Sequence, residues 1–121
     1  MAKILIVDDE PLTVEMLSTF LKLSGYEAVG ALSCSQTWDK LAYEEPDAIL
    51  LDIMLPDGNG LEMCKKLRAE ARWASTPIII ISAHAPPMTA EATEAGASGY
   101  LAKPIKLDAL RAALRDVGVS S

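Results

Sequence analysis

Five polar residues in this chain have side chains that can take part in chemistry, and each stands where a short run of apolar residues stops. They are Asp8, Asp9, Asp52, Ser82 and Lys103. If these runs are parallel strands, their carboxyl ends share one edge of a sheet, which is where open α/β sheets bind ligands. We therefore expect three carboxylates, one hydroxyl and one amine to converge in a single crevice.

The types of these side chains indicate what such a crevice does. Three carboxylates repel one another and raise one another's pKa values. A hard divalent cation removes that conflict, and Mg²⁺ prefers a few carboxylates together with waters and a phosphate oxygen. An aspartate is also a nucleophile that forms an acyl phosphate. A metal ion and the Lys103 ammonium would neutralise charge on the transferring group, and the Ser82 hydroxyl would hydrogen-bond a phosphoryl oxygen.

Strand and helix patterns alternate along the whole chain. Strands are predicted at 4–7, 27–31, 48–51, 78–81 and 100–102. Four helices are predicted from Pro11 to a stop at Gly25, from Ser33 or Ser35 to about Tyr43, from about Leu61, and from Thr89 to Ala95. A fifth and last helix is indicated by an apolar stripe of Leu107, Leu110, Leu114 and Val117. Five βα units in one small chain predict a parallel sheet with helices on both faces.

Composition argues against several classes of function. The formal net charge of −6 lacks the basic footprint of a nucleic-acid binder, so direct binding is not expected. Cys34 and Cys64 form no CxxC pair or Cys/His cluster, which predicts reduced, buried or half-buried thiols rather than a zinc site. With no apolar run long enough to span a bilayer and no secretory-signal pattern, we expect a cytoplasmic protein.

Four motifs, in order, resemble the receiver family of response regulators in bacterial two-component systems. They are Val7-Asp8-Asp9-Glu10, the stretch 51–60 from Leu51-Asp52 to Asn59-Gly60, Ile81-Ser82-Ala83, and Lys103-Pro104. The match covers essentially the whole chain. It implies one receiver domain over residues 1–121, with a doubly wound, flavodoxin-like, three-layer α/β/α fold whose five parallel strands lie in the order 2-1-3-4-5.

The resemblance also implies roles for single residues. Asp52 would be the phosphoacceptor. Asp9, Asp52 and the backbone carbonyl of Met54 would bind Mg²⁺, which Mn²⁺ can replace, and Asp8 would help through a water. Lys103 would contact Asp52 at rest and the phosphoryl group afterwards, and the Lys103-Pro104 bond is expected to be cis.

A switch and its partners follow from the same resemblance. Ser82 and Tyr100 would be the switch pair that reshapes the surface of the fourth helix, fifth strand and fifth helix. The phosphodonor would be a histidine kinase or histidine phosphotransfer protein, and the output partner is unknown. No membrane contact is implied, and the protein would be a monomer or a phosphorylation-dependent dimer. It would be a signalling switch and not a turnover enzyme.

Some residues depart from, or add to, this pattern. The interval from Ser82 to Lys103 is one residue shorter than is usual for the family, and Pro86-Pro87 falls within it, so we expect a short fourth helix. Met54 and His84 stand two residues after Asp52 and Ser82, and we hypothesise that they set the dephosphorylation rate. Arg68 is interpreted as part of a solvated helix face.

Three alternative functions share part of this pattern of residues. An aspartate-based phosphohydrolase of the haloacid-dehalogenase type would need an acid two positions after its nucleophile, where this chain has Met54. A flavin-binding module would need a phosphate-cradling loop after the first strand, where this chain has acidic residues. A receiver that never accepts phosphate is disfavoured because every motif residue is present.

Overall fold

Strands and helices alternate in the computed structural model, which describes residues 1–121. The strands are β1 Lys3–Val7, β2 Glu27–Ala31, β3 Ala48–Asp52, β4 Met54–Leu55, β5 Gly58–Asn59, β6 Ile78–Ser82 and β7 Gly99–Ala102. The helices are α1 Pro11–Leu23, α2 Cys34–Tyr43, α3 Gly60–Ala69, α4 Thr89–Glu94 and α5 Leu107–Asp116, with a 3₁₀ turn at Ala71–Trp73. No helix has both the length and the apolar character required to cross a bilayer.

The main sheet has five parallel strands in the order β2-β1-β3-β6-β7. This is the predicted order 2-1-3-4-5, because β4 and β5 belong to a separate antiparallel ribbon. In the sequence, the ribbon region shows only turn formers, because strands of two residues are too short to show any periodicity. The ribbon turns back directly after β3 and leads the chain into α3.

Two apolar layers cover the two faces of the sheet. The central strands are buried throughout, which explains their unbroken apolar runs. One layer contains alternate strand residues such as Leu5, Leu51 and Ile80, and the other contains Ile6 and Leu50. Because both faces are packed, polar side chains are confined to the strand ends.

Local signals place most helix boundaries where they were expected. Pro11 is the first residue of α1, and Gly25 follows that helix with φ +95°. The Ser33 hydroxyl accepts a hydrogen bond from the Gln36 N–H at 3.0 Å and so caps α2. Helix α4 has only six residues, which confirms the expected short fourth helix.

Two predicted placements are wrong. Arg68 is not part of a solvated face, because its guanidinium donates hydrogen bonds to the carbonyl groups of Trp73, Thr76 and Gly96 at 2.8, 2.6 and 2.8 Å. These carbonyls come from loops and a turn, which helical periodicity does not describe. Leu107 remains 38% exposed at the start of α5, whereas Leu110 is fully buried as predicted.

Candidate functional site

The polar residues singled out in the sequence gather at the carboxyl edge of the sheet. A cleft of about 260 Å³ opens there. It is lined by Asp9, Glu10, Asp52, Met54, Ser82, Ala83, His84 and Lys103. Asp8 lies beneath this cleft and is fully buried. Strand ends from β1, β3 and β6, together with the residue that follows β7, therefore supply the carboxylates, the hydroxyl and the ammonium group of the site.

Three carboxylates form the acidic part of the site. One oxygen from each of Asp8, Asp9 and Asp52 lies within 4.8 Å of the other two. Asp8 and Asp52 are buried, at 0% and 5% exposure, whereas Asp9 is exposed. The Asp8 Oδ1 accepts a hydrogen bond from the Glu10 N–H at 2.9 Å, which fixes the carboxylate orientation.

Lys103 is the single cation among these carboxylates. Its Nζ lies 2.6 Å from Asp8 Oδ2 and 3.1 Å from Asp52 Oδ2. Its backbone N–H donates to the Ser82 carbonyl at 2.8 Å, so the lysine is held beside the end of β6. The Lys103–Pro104 bond is cis, the isomer that the resemblance implies, and the Ala85–Pro86 bond is also cis.

The electrostatics of the site leave negative charge in excess. Burial raises the pKa of the Asp52 carboxyl, against the opposing effect of Lys103, and the neighbouring Asp8 adds to the rise. Burial alone would lower the pKa of Lys103, but the hydrogen bonds and charges of Asp8 and Asp52 outweigh it and raise that pKa. One firmly protonated ammonium thus faces three carboxyl groups.

The donor atoms fit a hard divalent cation. The buried carboxylates of Asp8 and Asp52 share the one Lys103 ammonium, whose Nζ lies 2.6 and 3.1 Å from them, and Asp9 adds a third carboxylate. Buried carboxylates in excess of the available positive charge are costly without a further cation. Clustered carboxylate oxygens are the ligands that Mg²⁺ prefers. The residues present therefore suit a magnesium ion at the mouth of the cleft.

Ser82 and His84 form the opposite wall of the cleft. The Ser82 side chain is buried, and its Oγ accepts a hydrogen bond from the His84 N–H at 3.0 Å. The hydroxyl proton is left free to be donated elsewhere. The His84 Nδ1 lies 2.9 Å from the Pro86 carbonyl oxygen, so the exposed ring is held by its own loop.

Tyr100 does not line the cleft. It pairs with Ile80 in the sheet and is half-buried against the apolar layer that contains Leu51. Its hydroxyl accepts a hydrogen bond from the Met88 N–H at 3.0 Å. The proposed switch residue is therefore attached to the start of α4 and not to the polar cluster.

Gly60 and the Asp57 side chain both shape the loop beside Asp52. Neither has a predicted role in the sequence. The Gly60 N–H donates to the Ile53 carbonyl at 2.7 Å, which brings its Cα against the backbone of Asp52. The Asp57 carboxylate accepts hydrogen bonds from the Cys34 and Ser35 N–H groups at the start of α2. The dense turn cluster at 56–60 was the available signal, but it does not reveal which groups the turn contacts.

A doubly wound parallel sheet with an acidic, lysine-containing cleft at its carboxyl edge defines a class of signalling domain. Residues 4–115 match the family model described as "Response regulator receiver domain". The chain belongs to that family. Membership implies phosphoryl acceptance in two-component signalling, and receiver domains as a class are signalling switches rather than classical turnover enzymes.

Individual relatives agree with this assignment. The transcriptional regulatory protein KdpE of Staphylococcus aureus is 36% identical over 115 residues, which cover 94% of this chain and 48% of the relative. KdpE of Escherichia coli is 36% identical over 116 residues, covering 95% of this chain and 50% of that protein. This chain thus spans about half the length of both curated relatives.

Solved structures are similar over nearly their whole length. The chemotaxis response regulator CheY4 of Vibrio cholerae has a TM-score of 0.89 at 31% identity, covering 97% of this chain and 98% of the other. A two-component response regulator from Clostridium difficile has a TM-score of 0.88 at 30% identity, covering 97% and 95%. The receiver fold is therefore shared over 97% of this chain.

Proposed function

We propose that this chain accepts a phosphoryl group on Asp52 from a histidine kinase or a histidine phosphotransfer protein. One observation carries this proposal: the buried Asp52 carboxylate lies 3.1 Å from Lys103 Nζ and shares a cluster with Asp8 and Asp9. An aspartate flanked by a cation and by metal-ligating carboxylates has what an acceptor of a dianionic group requires. Residues 1–121 act as one receiver unit in this proposal.

The proposed metal ligands are Asp9, Asp52 and the backbone carbonyl of Met54, with Asp8 acting through a water. Magnesium, or manganese in its place, would neutralise negative charge on the phosphoryl group and its acceptor. The excess of carboxylates over ammonium groups supports this assignment. Without a cation, a phosphoryl group would meet a net negative site.

The transfer itself is a displacement at phosphorus. An Asp52 carboxylate oxygen forms the new P–O bond while the P–N bond to the donor imidazole breaks, and the imidazole takes up a proton from the solvent so that it leaves as a neutral ring. Lys103 then pairs with the phosphoryl oxygens instead of the free carboxylate. The Ser82 hydroxyl can donate its proton to a phosphoryl oxygen while it still accepts from the His84 N–H.

Phosphorylation would act on the surface formed by α4, β7 and α5. We assign Ser82 and Tyr100 as the pair that links the cleft to that surface, in a two-state equilibrium biased by one local charge. The output is a partner protein or a further domain that binds this surface. The chain itself would act as a monomer or as a phosphorylation-dependent dimer. Direct nucleic-acid binding by this domain is not part of the proposal, because of its net charge of −6.

Intact-mass measurement after incubation with acetyl phosphate tests the proposal. The native chain with Mg²⁺ should gain one phosphoryl group, and it should gain none without a divalent cation or in Asp52→Asn. Asp39→Asn, a change at an exposed aspartate on α2, is the matched control and should behave like the native chain. Modification that persists in Asp52→Asn, or that ignores the metal, would reject the assigned acceptor and mechanism.

A further inference from the structure

The ribbon formed by β4 and β5 beside Asp52 has little structure of its own. Each of its strands has two residues, and neither strand pairs with the main sheet. An isolated two-stranded ribbon is at best marginally stable in water, so contacts outside the ribbon must keep it in place. Met54 of this ribbon lines the same cleft as Asp52. The contacts that fix the ribbon therefore also fix one side of the proposed phosphorylation site.

The base of the ribbon, where it joins β3 and α3, is held by backbone and capping bonds. The Gly60 N–H donates to the Ile53 carbonyl at 2.7 Å. The Asn59 side chain accepts from the Leu61 N–H at 2.7 Å and so caps α3. Leu55 lies in one of the apolar layers. Because apolar burial is not directional, Leu55 sets the depth of the ribbon but not the orientation of its tip.

Asp57 holds the tip of the ribbon, between β4 and β5. Its Oδ1 accepts from the Cys34 N–H at 2.8 Å, and its Oδ2 accepts from the Ser35 N–H at 2.9 Å. Cys34 and Ser35 are the first two residues of α2, so their N–H groups have no acceptor within the helix. Hydrogen bonds to a carboxylate are directional and stronger than neutral ones. The two bonds therefore fix the orientation of the tip relative to α2.

We propose that Asp57 is a positioning residue for phosphoryl acceptance: its two bonds clamp the ribbon tip to α2 and so hold the Met54 carbonyl in place for the divalent cation. The residue pairs Leu55–Gly58 and Met54–Asn59 connect the tip to that carbonyl. Without the clamp, the tip can turn about the base, and the carbonyl loses its fixed direction. The ligand role of Met54 rests on the proposed function, whereas the bonds of Asp57 are present in the structure itself.

An NMR titration with MgCl₂ alone, without phosphodonor, tests the clamp. In Asp57→Ala the dissociation constant for Mg²⁺ should rise about tenfold, the lower end of the range for residues that orient a metal ligand. Asp57→Asn loses the charge but keeps one acceptor oxygen, so its dissociation constant should lie between those of the native chain and Asp57→Ala. Equal weakening in both variants would assign the effect to the lost charge and overturn the clamp.

Ser33→Ala is the matched control. The Ser33 hydroxyl accepts from the Gln36 N–H at the same end of α2, but it forms no hydrogen bond with the ribbon. This variant should therefore destabilise α2 and keep the native dissociation constant for Mg²⁺. Equal loss of Mg²⁺ affinity in Ser33→Ala and Asp57→Ala would mean that the stability of α2 controls the site, which contradicts the proposal.

The rate of labelling by acetyl phosphate at a series of Mg²⁺ concentrations gives a second measurement. Asp57→Ala should need about tenfold more Mg²⁺ for its half-maximal rate. It should reach the native rate at saturating Mg²⁺, because Asp52 and Lys103 are unchanged. A lower rate at saturation together with an unchanged Mg²⁺ requirement would refute the positioning role.

Relaxation of the ¹⁵N nuclei in the cation-free protein distinguishes failure of the clamp from failure of the proposed function. The order parameters of the Gly58 and Asn59 amides should fall in Asp57→Ala and keep their native values in Ser33→Ala. If the native chain binds no Mg²⁺, the proposed function fails, and these order parameters alone decide whether Asp57 holds the ribbon. Native order parameters in Asp57→Ala would overturn the clamp even in a protein that binds Mg²⁺.

Discussion

Gly60 packs directly against the carbonyl group of Asp52. A Cβ at position 60 would overlap the Asp52 carbonyl oxygen, and it would lie 2.9 Å from the carbonyl carbon and 3.0 Å from the Ile53 Cα. These atoms are backbone and cannot move without shifting the Asp52 carboxylate. The same residue therefore begins α3 and fixes the position of the proposed acceptor.

Gly60→Ala should accordingly impair both stability and phosphorylation. We expect a loss of about 2–3 kcal/mol in the free energy of unfolding, the range of a substitution that forces backbone displacement. The phosphorylation rate per folded molecule should fall as well. Urea unfolding and acetyl-phosphate labelling measure the two effects.

Gly58→Ala is the matched control for this change. Its Cβ would meet the Cys34 Sγ at 2.9 Å, and that sulfur belongs to a side chain that can rotate away. We expect a smaller loss of stability and a native phosphorylation rate. Equal rates in Gly60→Ala and Gly58→Ala would contradict the role given to Gly60.

The loop contact made by Asp57 predicts a pH dependence of stability. The N–H groups of Ser35 and Cys34 donate to its carboxylate and hold the pKa of Asp57 below its ordinary value. A folded-state pKa below the unfolded one stabilises the protein at any pH above the unfolded value of about 3.9, and this contribution is lost as the pH falls through the folded pKa. In Asp57→Asn the free energy of unfolding should decline less steeply below about pH 4.

Urea unfolding at a series of pH values measures this difference. Asp39→Asn is the comparison, because Asp39 also lies on the surface but accepts none of the hydrogen bonds that tie the β4–β5 turn to α2. Parallel pH profiles for the native chain and Asp57→Asn would rule out the carboxylate as the source of acid sensitivity.

Lys103 should stabilise the resting site by compensating two buried carboxylates. Replacing it in Lys103→Met leaves Asp8 and Asp52 without their ammonium partner, and loss of one member of a buried ion pair costs on the order of 3 kcal/mol. We expect Mg²⁺ to raise the thermal unfolding midpoint more in this variant than in the native chain, because the ion replaces the lost charge. Lys106→Met, at an exposed lysine, should show neither effect.

If Mg²⁺ raises the thermal unfolding midpoints of the native chain and of Lys103→Met equally, Lys103 and the cation do not interact with the same carboxylates. The measurement needs no phosphodonor, so it separates charge compensation from phosphoryl transfer.

The sequence predicted the sheet because its signals are local. Runs such as Ile78–Ile81 end abruptly at a polar residue, and parallel strand ends meet at one edge. These two signals predicted that Asp52, Ser82 and Lys103 lie close together. The contacts of Arg68 were not predictable in this way, because its acceptors are carbonyls of a turn five and eight residues further on and of a loop 28 residues further on, and helical periodicity describes neither segment. The Met88–Tyr100 bond is of the same kind, since it joins two segments whose spacing depends on the whole fold.

The rate at which the acyl phosphate is lost should depend on His84. Its Nδ1 lies 2.9 Å from the Pro86 carbonyl, which can only accept, so in the neutral imidazole this contact places the proton on Nδ1 and leaves Nε2 as the acceptor. His84 also lines the cleft. An acceptor there can orient a water toward the phosphoryl group. We expect His84→Ala to slow hydrolysis of the phosphorylated protein by about 100-fold, the lower end of the range for a positioned base.

Met54 should act in the opposite direction. Its side chain is 71% exposed at the same cleft and offers an apolar surface to any water that approaches Asp52. Met54→Ala removes that surface, so the acyl phosphate should be lost faster than in the native chain. Decay of the phosphorylated mass after removal of phosphodonor measures both rates, with Met16→Ala, a partly exposed methionine on α1, as the control. A rate unchanged by either substitution at the cleft would mean that the lifetime is set by Asp52, Ser82 and Lys103 alone.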